Sequence, residues 1–419
     1  MKILAVGFIG LLALECPARQ PPSSAFSEAA VVAEALRVDP QVAQNRLKVA
    51  EAESHVREIQ GQKRFQLSLE GTVSGSTGQV AEPSSSQTFA TAQATLNAPI
   101  PNKGKIDTQV AQALAALDAA RQELAKSSQD LEYQASQAYF ELWRARDAAG
   151  IASENLQQAQ RQLQDVQARV AAGDVPPADV LKAQVPVAQD KAALTRADIA
   201  ASVALQNLNN LIHRDLSASI EVQPISLPTS STITPEEAGR YALTHSPDVL
   251  EGEANLRQAQ AGLAFSHHAR DIEFALQLTQ QQTGDVTAYS RLTTLGLNLT
   301  LPLADGGVAS EQVKQARLQV AEAEKALDQI RRTANLEAQQ AALDVQGDLA
   351  NVDATQQTTA VAKESLTKAQ QSYEAGLTTT RDVLDAQLAY AQARIDENSA
   401  RYDLGIALAR LKQAMGGTP

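Results

Sequence analysis

The chain has 419 residues, a net charge of −12 and only 4 % aromatic side chains. The acidic balance excludes nucleic acid as a partner, because phosphate contacts need clustered Lys and Arg. Ala, Gln, Leu, Glu and Asp dominate, as in long helices packed on small side chains rather than in several compact cores.

The N-terminus pairs Lys2 with an apolar run from Ile3 to Leu14. That run is shorter than the roughly 20 residues needed to span a bilayer and has the form of a secretory signal peptide, residues 1–25, with cleavage expected after Ala18 or Ala25. Cys16 is the single cysteine; Glu15 before it is a poor match to the small residue that a lipidation site wants. With Cys16 removed or acylated, the mature chain has no disulfide and no Cys-based metal site. No later segment reads as a transmembrane helix, so any membrane insertion is expected to use strands.

Two similar units follow, residues 26–213 and 236–419, joined by a proline-punctuated linker, 214–235, that holds Pro224, Pro228 and Pro235. Gly173 aligns with Gly376, Asp179 with Asp382, Leu181 with Leu384 and Gln184 with Gln387. Pro99 falls on Pro302 and Gly104 on Gly307 at the same offset of 203, and Pro40 on Pro247 at 207. Each unit reads as helix, strand, strand, very long helix, turn, helix. The opening helices start near Phe26 and Pro235 and are expected to restart at Asp39-Pro40 and Ser246-Pro247, where a capping residue precedes a first-turn proline.

Hairpins are expected at 64–100 and 272–302. Phe65, Leu67, Leu69 and Val73 alternate with Gln66, Ser68, Glu70 and Thr72, and Leu295, Leu297, Leu299 and Leu301 alternate in the same way. Gly- and Ser-rich loops are expected at 74–86 and 281–288. Strands of about ten residues, apolar on one face and polar on the other, suit a membrane β-barrel and equally a half-buried sheet in a soluble domain. Pro99, Gly104, Pro302, Gly306 and Gly307 form the strand-to-helix joints, since proline cannot continue a paired ladder. Long helices at 104–172 and 307–375 carry apolar heptads, Val313, Ala316, Val320, Ala323 and Leu327 in the second. At 1.5 Å per residue each is a rod of about 100 Å. Gly173 and Gly376 stop the rods, and return helices follow at 177–213 and 380–415. Four strands close no barrel, because bacterial barrels need about eight or more; three chains would supply about twelve.

The two-fold repeat of helix, hairpin, long helix, turn and helix resembles the TolC-like outer-membrane efflux proteins. The strand exit "LNLTLPLADGGVASEQVKQARLQVAEAEKAL" and the turn "SYEAGLTTTRDVLDAQLAYAQA" carry the likeness. Ala304 and Pro101 depart from it, standing where the family often has an aromatic. The resemblance implies a mainly α protein with membrane strands, a homotrimer whose twelve-stranded barrel sits in outer-membrane lipid and whose helical tunnel crosses the periplasm. It further implies a periplasmic adaptor and an inner-membrane pump of RND or ABC type as partners, with passive export of small molecules or metal ions. On that likeness Asp382 and Asp385 fall at the periplasmic mouth, where carboxylates select and constrict; Tyr373 matches a constriction tyrosine, Asp179 is the acid of the first unit, and Thr378 stands where some relatives are basic. Without the likeness, Asp382 and Asp385 read first as first-turn carboxylates favoured by the helix dipole.

No phosphate loop, nucleophile elbow or metal-helix motif appears, so no catalytic residue, cofactor or resident metal is expected. His267 and His268 are adjacent and point in different directions on a helix, as a solvated helix end. The rival reading is a periplasmic coiled-coil adaptor or structural protein without a barrel.

Overall fold

A computed structural model describes residues 26–78, 85–99, 104–221, 223, 233–284 and 289–417. The signal segment with Cys16, Ala18 and Ala25 lies outside the described residues, as do Pro101, Pro224 and Pro228.

The first unit contains α1 (Glu28–Val38), α2 (Pro40–Gly61), β1 (Gln66–Gly78), β2 (Ser85–Pro99), α3 (Lys105–Ala172) and α4 (Ala178–Leu211). The second contains α5 (Pro235–His245), α6 (Pro247–His267), β3 (Glu273–Gly284), β4 (Tyr289–Thr300), α7 (Val308–Glu374) and α8 (Thr380–Met415). Asp39 caps α2 by accepting from the Val42 N–H at 2.8 Å, with Pro40 in the first turn. Phe26 is not helical. Its N–H donates to the Glu221 carbonyl and its own carbonyl accepts from Gln223, so it pairs with the linker, and Ser27 caps α1 instead. Pro235 opens α5 after a Thr234–Glu237 capping box rather than closing the linker.

The four strands form one antiparallel sheet in the order β1-β2-β3-β4. The ladder outruns the apolar pattern: Ser74 to Gly78 pair with Phe89 to Ser85, and Gln281 to Gly284 pair with Leu292 to Tyr289, where loops are expected from the sequence. Backbone groups hydrogen-bond whatever the side chain, so polar and glycine residues extend a ladder that hydrophobic alternation no longer marks. Register stacks Leu67 on Leu96, Leu96 on Leu278 and Leu278 on Leu295, which gathers these leucines on one face; further along, Gln280, Gln282 and Arg291 share that face and Leu292 falls on the other. The leucine face has no cover among the described residues; Leu67 and Leu69 are 71 % and 80 % exposed. The other face carries amides and hydroxyls, with Asn298 donating to Gln277 at 2.9 Å.

Below the sheet the helices form a one-layer wall that changes partners halfway down. Its upper half runs α2, α3, α6, α7, and its lower half runs α4, α3, α8, α7. Ion pairs stitch neighbours together: Lys48–Glu123 at 2.7 Å joins α2 to α3, Arg331–Glu253 at 2.8 Å joins α6 to α7, and Arg144–Asp403 at 3.3 Å joins α3 to α8. The two main cores repeat one design at the waist. Val31, Ala35, Ala135, Leu208 and Ile212 pack in the first, and Ala238, Ala242, Ala338, Leu411 and Met415 hold the matching places in the second. Tyr139, where the second unit has Ala342, breaks the symmetry. Its hydroxyl lies 3.0 Å from the Gln223 carbonyl and 3.1 Å from that of Phe26, and Trp143 also donates to Gln223, tying the linker to the first unit. No helix among the described residues is long and apolar enough to cross a membrane.

Candidate functional site

Both long helices end in the same hydrogen-bonded turn, far from the sheet. Gly173 (φ 86°) donates to the Val170 carbonyl and Asp174 to that of Arg169. Gly376 (φ 74°) donates to the Tyr373 carbonyl and Leu377 to that of Ser372 at 2.8 Å. A left-handed residue just past the helix end satisfies the last free carbonyls, and only glycine takes that conformation without strain.

The return helices start differently in the two units. Thr379 caps α8 with a full capping box: the Asp382 carboxylate accepts from both the backbone N–H and the hydroxyl of Thr379, each at 2.8 Å. The backbone bond from Thr379, reinforced by its hydroxyl, holds the Asp382 carboxyl below its ordinary range. In α4 the corresponding cap is Pro177, which offers no side-chain acceptor. Asp179 therefore has no cap to close and pairs with Lys182 at 2.7 Å.

Tyr373 is buried at the end of α7 and accepts from the Thr380 hydroxyl at 3.4 Å. The Arg169 guanidinium lies 4.3 Å from its ring centroid, and Arg169 Nη1 donates to the Tyr373 carbonyl at 3.5 Å. Asp165 holds the same guanidinium at 3.1 Å. The ends of the two long helices are thus clamped through one cation on an aromatic face. Asp385 sits one turn beyond Asp382 on exposed surface, and its partner is Arg381 at 3.7 Å. The Thr378 hydroxyl is buried with no hydrogen-bond partner.

The structure therefore joins Tyr373 to the start of α8 and sets Asp382 and Asp385 on successive turns. No hydrogen bond or ion pair among the described residues links Asp179 to either. Sequence reasoning missed Arg169, Arg381 and Lys182. Arg381 and Lys182 stand within three residues of acids already singled out, and that adjacency was the available signal. Arg169 meets Tyr373 across 204 positions, which no local pattern reports.

At the opposite end of the wall, the strand-to-helix joints are built on charge. Asp305 accepts from Arg270 at 2.8 Å, from the Gly307 N–H at 3.1 Å and from the Ala309 N–H at 2.9 Å. The Arg270 hydrogen bond, aided by the Ala309 N–H, lowers its pKa to about 2. Gly306 (φ 62°) and Gly307 (φ 90°) make the turn that follows Pro302, and Gly104 (φ 88°) does so in the first unit after Pro99 closes β2. There Lys63 pairs with Asp107 in the first turn of α3, mirroring Arg270 and Asp305. No group of three or more His, Cys, Asp and Glu residues among the described residues could hold a metal. His268 bonds Asp271 at 2.6 Å.

The family model described as "Outer membrane efflux protein" matches residues 31–212 and 239–417. The outer membrane protein TolC of Escherichia coli (strain K12) is 25 % identical over 319 residues, 70 % of this chain and 65 % of that protein, just under two thirds of its length. The cobalt-zinc-cadmium resistance protein CzcC of Cupriavidus metallidurans is 28 % identical over 308 residues, 73 % of this chain and 72 % of that one. Among solved structures, CusC superposes with a TM-score of 0.79 at 18 % identity, covering 93 % of this chain and 92 % of that one. The outer membrane protein VceC of Vibrio cholerae superposes with a TM-score of 0.78 at 18 % identity, covering 93 % and 96 %.

Proposed function

From the premise that this chain belongs to the outer membrane efflux protein family, we propose that three copies form the exit duct of a tripartite efflux system. The observation that carries the reading is the uncovered apolar face of a sheet whose two outer strands have unpaired edges. In lipid such edges are forbidden, and in water they invite aggregation. Three sheets joined edge to edge make a twelve-stranded barrel with leucines toward lipid and amides and hydroxyls toward the bore. The helical walls continue that bore through the periplasm for about 100 Å.

At the lower end, Asp382, Asp385, Tyr373 and Asp179 form the selective mouth. Carboxylates repeated around a threefold opening attract cations and repel anions, and the Arg169–Tyr373 clamp holds the two long helices of each chain together there. A periplasmic adaptor and an inner-membrane pump of RND or ABC type dock below and supply the energy. The duct itself passes small molecules or metal ions down their gradient. The match to the outer membrane efflux protein family supports export as the role, and the cobalt-zinc-cadmium resistance protein CzcC, as a relative, supports metal ions among the cargo.

The test is fractionation and detergent extraction of the mature protein. The duct reading expects an outer-membrane fraction and a species of three chains that shifts its gel migration on heating. A protein that stays monomeric and soluble without detergent would sink it.

A further inference from the structure

We infer that Arg381 is a selectivity-setting residue of the mouth, a counter-charge that holds down the cation preference its neighbouring carboxylates create. The inference rests on the mouth reading above and sharpens it. Two turns into the return helices, α8 carries Arg381, Asp382 and Asp385, and α4 carries Asp179 and Lys182. These sum to one net negative charge per chain, so three chains present three, half of what Asp382 and Asp385 alone would give. Glu374 and Asp174 add acid in the turns just outside these helices.

Helix stability does not account for Arg381. A cation in the first turn opposes the positive end of the helix dipole. Arg preceding Asp by four residues is also the weaker orientation of such a pair. Its side chain is 85 % exposed and that of Asp385 is 66 % exposed, so their 3.7 Å contact is a surface pair that stabilises little. What the pair does hold is geometry, with the guanidinium carried beside Asp385, one turn beyond the carboxylate of Asp382. Asp382 is occupied by Thr379 on its helix-facing side. Asp385 has no bond from the cap, so the carboxylate that Arg381 screens is the more freely presented of the two. The first unit uses the same device, with Lys182 against Asp179 at 2.7 Å.

Purified trimers in planar bilayers under a KCl gradient test this through the reversal potential. Arg381→Gln should raise the potassium-over-chloride permeability ratio roughly two- to five-fold, the effect of deleting three screened unit charges at the opening. The gain should grow as salt is lowered. Lys182→Gln should move the ratio the same way, Arg381→Lys should keep the wild-type ratio, and Asp385→Asn should lower it. If Asp385→Asn lowers the ratio while Arg381→Gln leaves it unchanged or lowers it, the counter-charge inference is overturned and the mouth reading stands. If Asp382→Asn, Asp385→Asn and Arg381→Gln all leave it unchanged, the mouth is placed wrongly and both ideas fall.

Discussion

At the scale of single residues, chemistry concentrates where a backbone run must stop. Asp305 serves two elements at once, capping α7 through the Gly307 and Ala309 N–H groups and anchoring the turn before β3 through Arg270. With its pKa lowered from 3.8 to about 2, the folded state binds its proton less readily than the unfolded chain does. The stabilisation is therefore complete above about pH 4 and is lost as the pH falls toward 2. Thermal unfolding measured from pH 5 to pH 2 should show the wild type losing more stability across that window than Asp305→Asn. Parallel curves would mean that the carboxylate contributes nothing through its charge. The joint acid was visible in the sequence as part of a sharp turn. Its cation was not, because Arg270 lies 35 positions away, on the far side of a hairpin.

At the scale of elements, the helices follow from local signals and the contacts between them do not. Capping residues, first-turn prolines and αL glycines are all short-range, and Asp39-Pro40, Thr234-Pro235, Gly173 and Gly376 mark their boundaries plainly. The strands were legible only while leucine alternated; beyond that, the ladder of Ser74 to Gly78 rests on a partner strand that the local pattern does not name. The α3–α8 seam is the least legible of all, since it joins the two units through residues some 250 positions apart. Tyr402 donates to Asp147 at 2.6 Å, and burial followed by that carboxylate raises its pKa. Gly405 lets Phe140 approach so closely that a Cβ would meet its ring at 2.5 Å. Phe140 is itself buried, so the ring has little room to retreat. Gly405→Ala should therefore cost about 1–3 kcal/mol through overpacking, read as a lower denaturation midpoint. An unchanged midpoint would mean that the seam opens to take the methyl group.

At the scale of the whole molecule, the repeat indicates how the wall closes. The outermost elements carry the exposed apolar stripes, Leu181, Val185, Ile199 and Val203 on α4 and Leu318, Leu336, Leu343 and Val361 on α7. Their spacings are near whole helical turns, so each set lies on one face. In the repeat, Phe140 corresponds to Leu343 and Gly405 to Ser202. The seam between α3 and α8 within a chain is therefore the template for a seam between α7 of one copy and α4 of the next. In a chain freed of Cys16, cysteines at Leu343 and Ser202 should cross-link neighbouring copies into covalent dimers and trimers. Cysteines at Leu343 and Val185, which lies roughly 25 Å from Ser202 along α4 by rise per residue, should not. Equal cross-linking by both pairs would mean that this face is not the seam. The wall also changes its order at the waist: α2 and α6 flank the long helices above, and α4 and α8 flank them below. Among the described residues only α3 and α7, 68 and 67 residues long, run through both halves without a break. They are the spars of the structure. A torque applied to the lower rim reaches the sheet along two stiff members per chain, while the shorter helices serve as bracing, anchored at the waist through Leu208, Ile212, Leu411 and Met415.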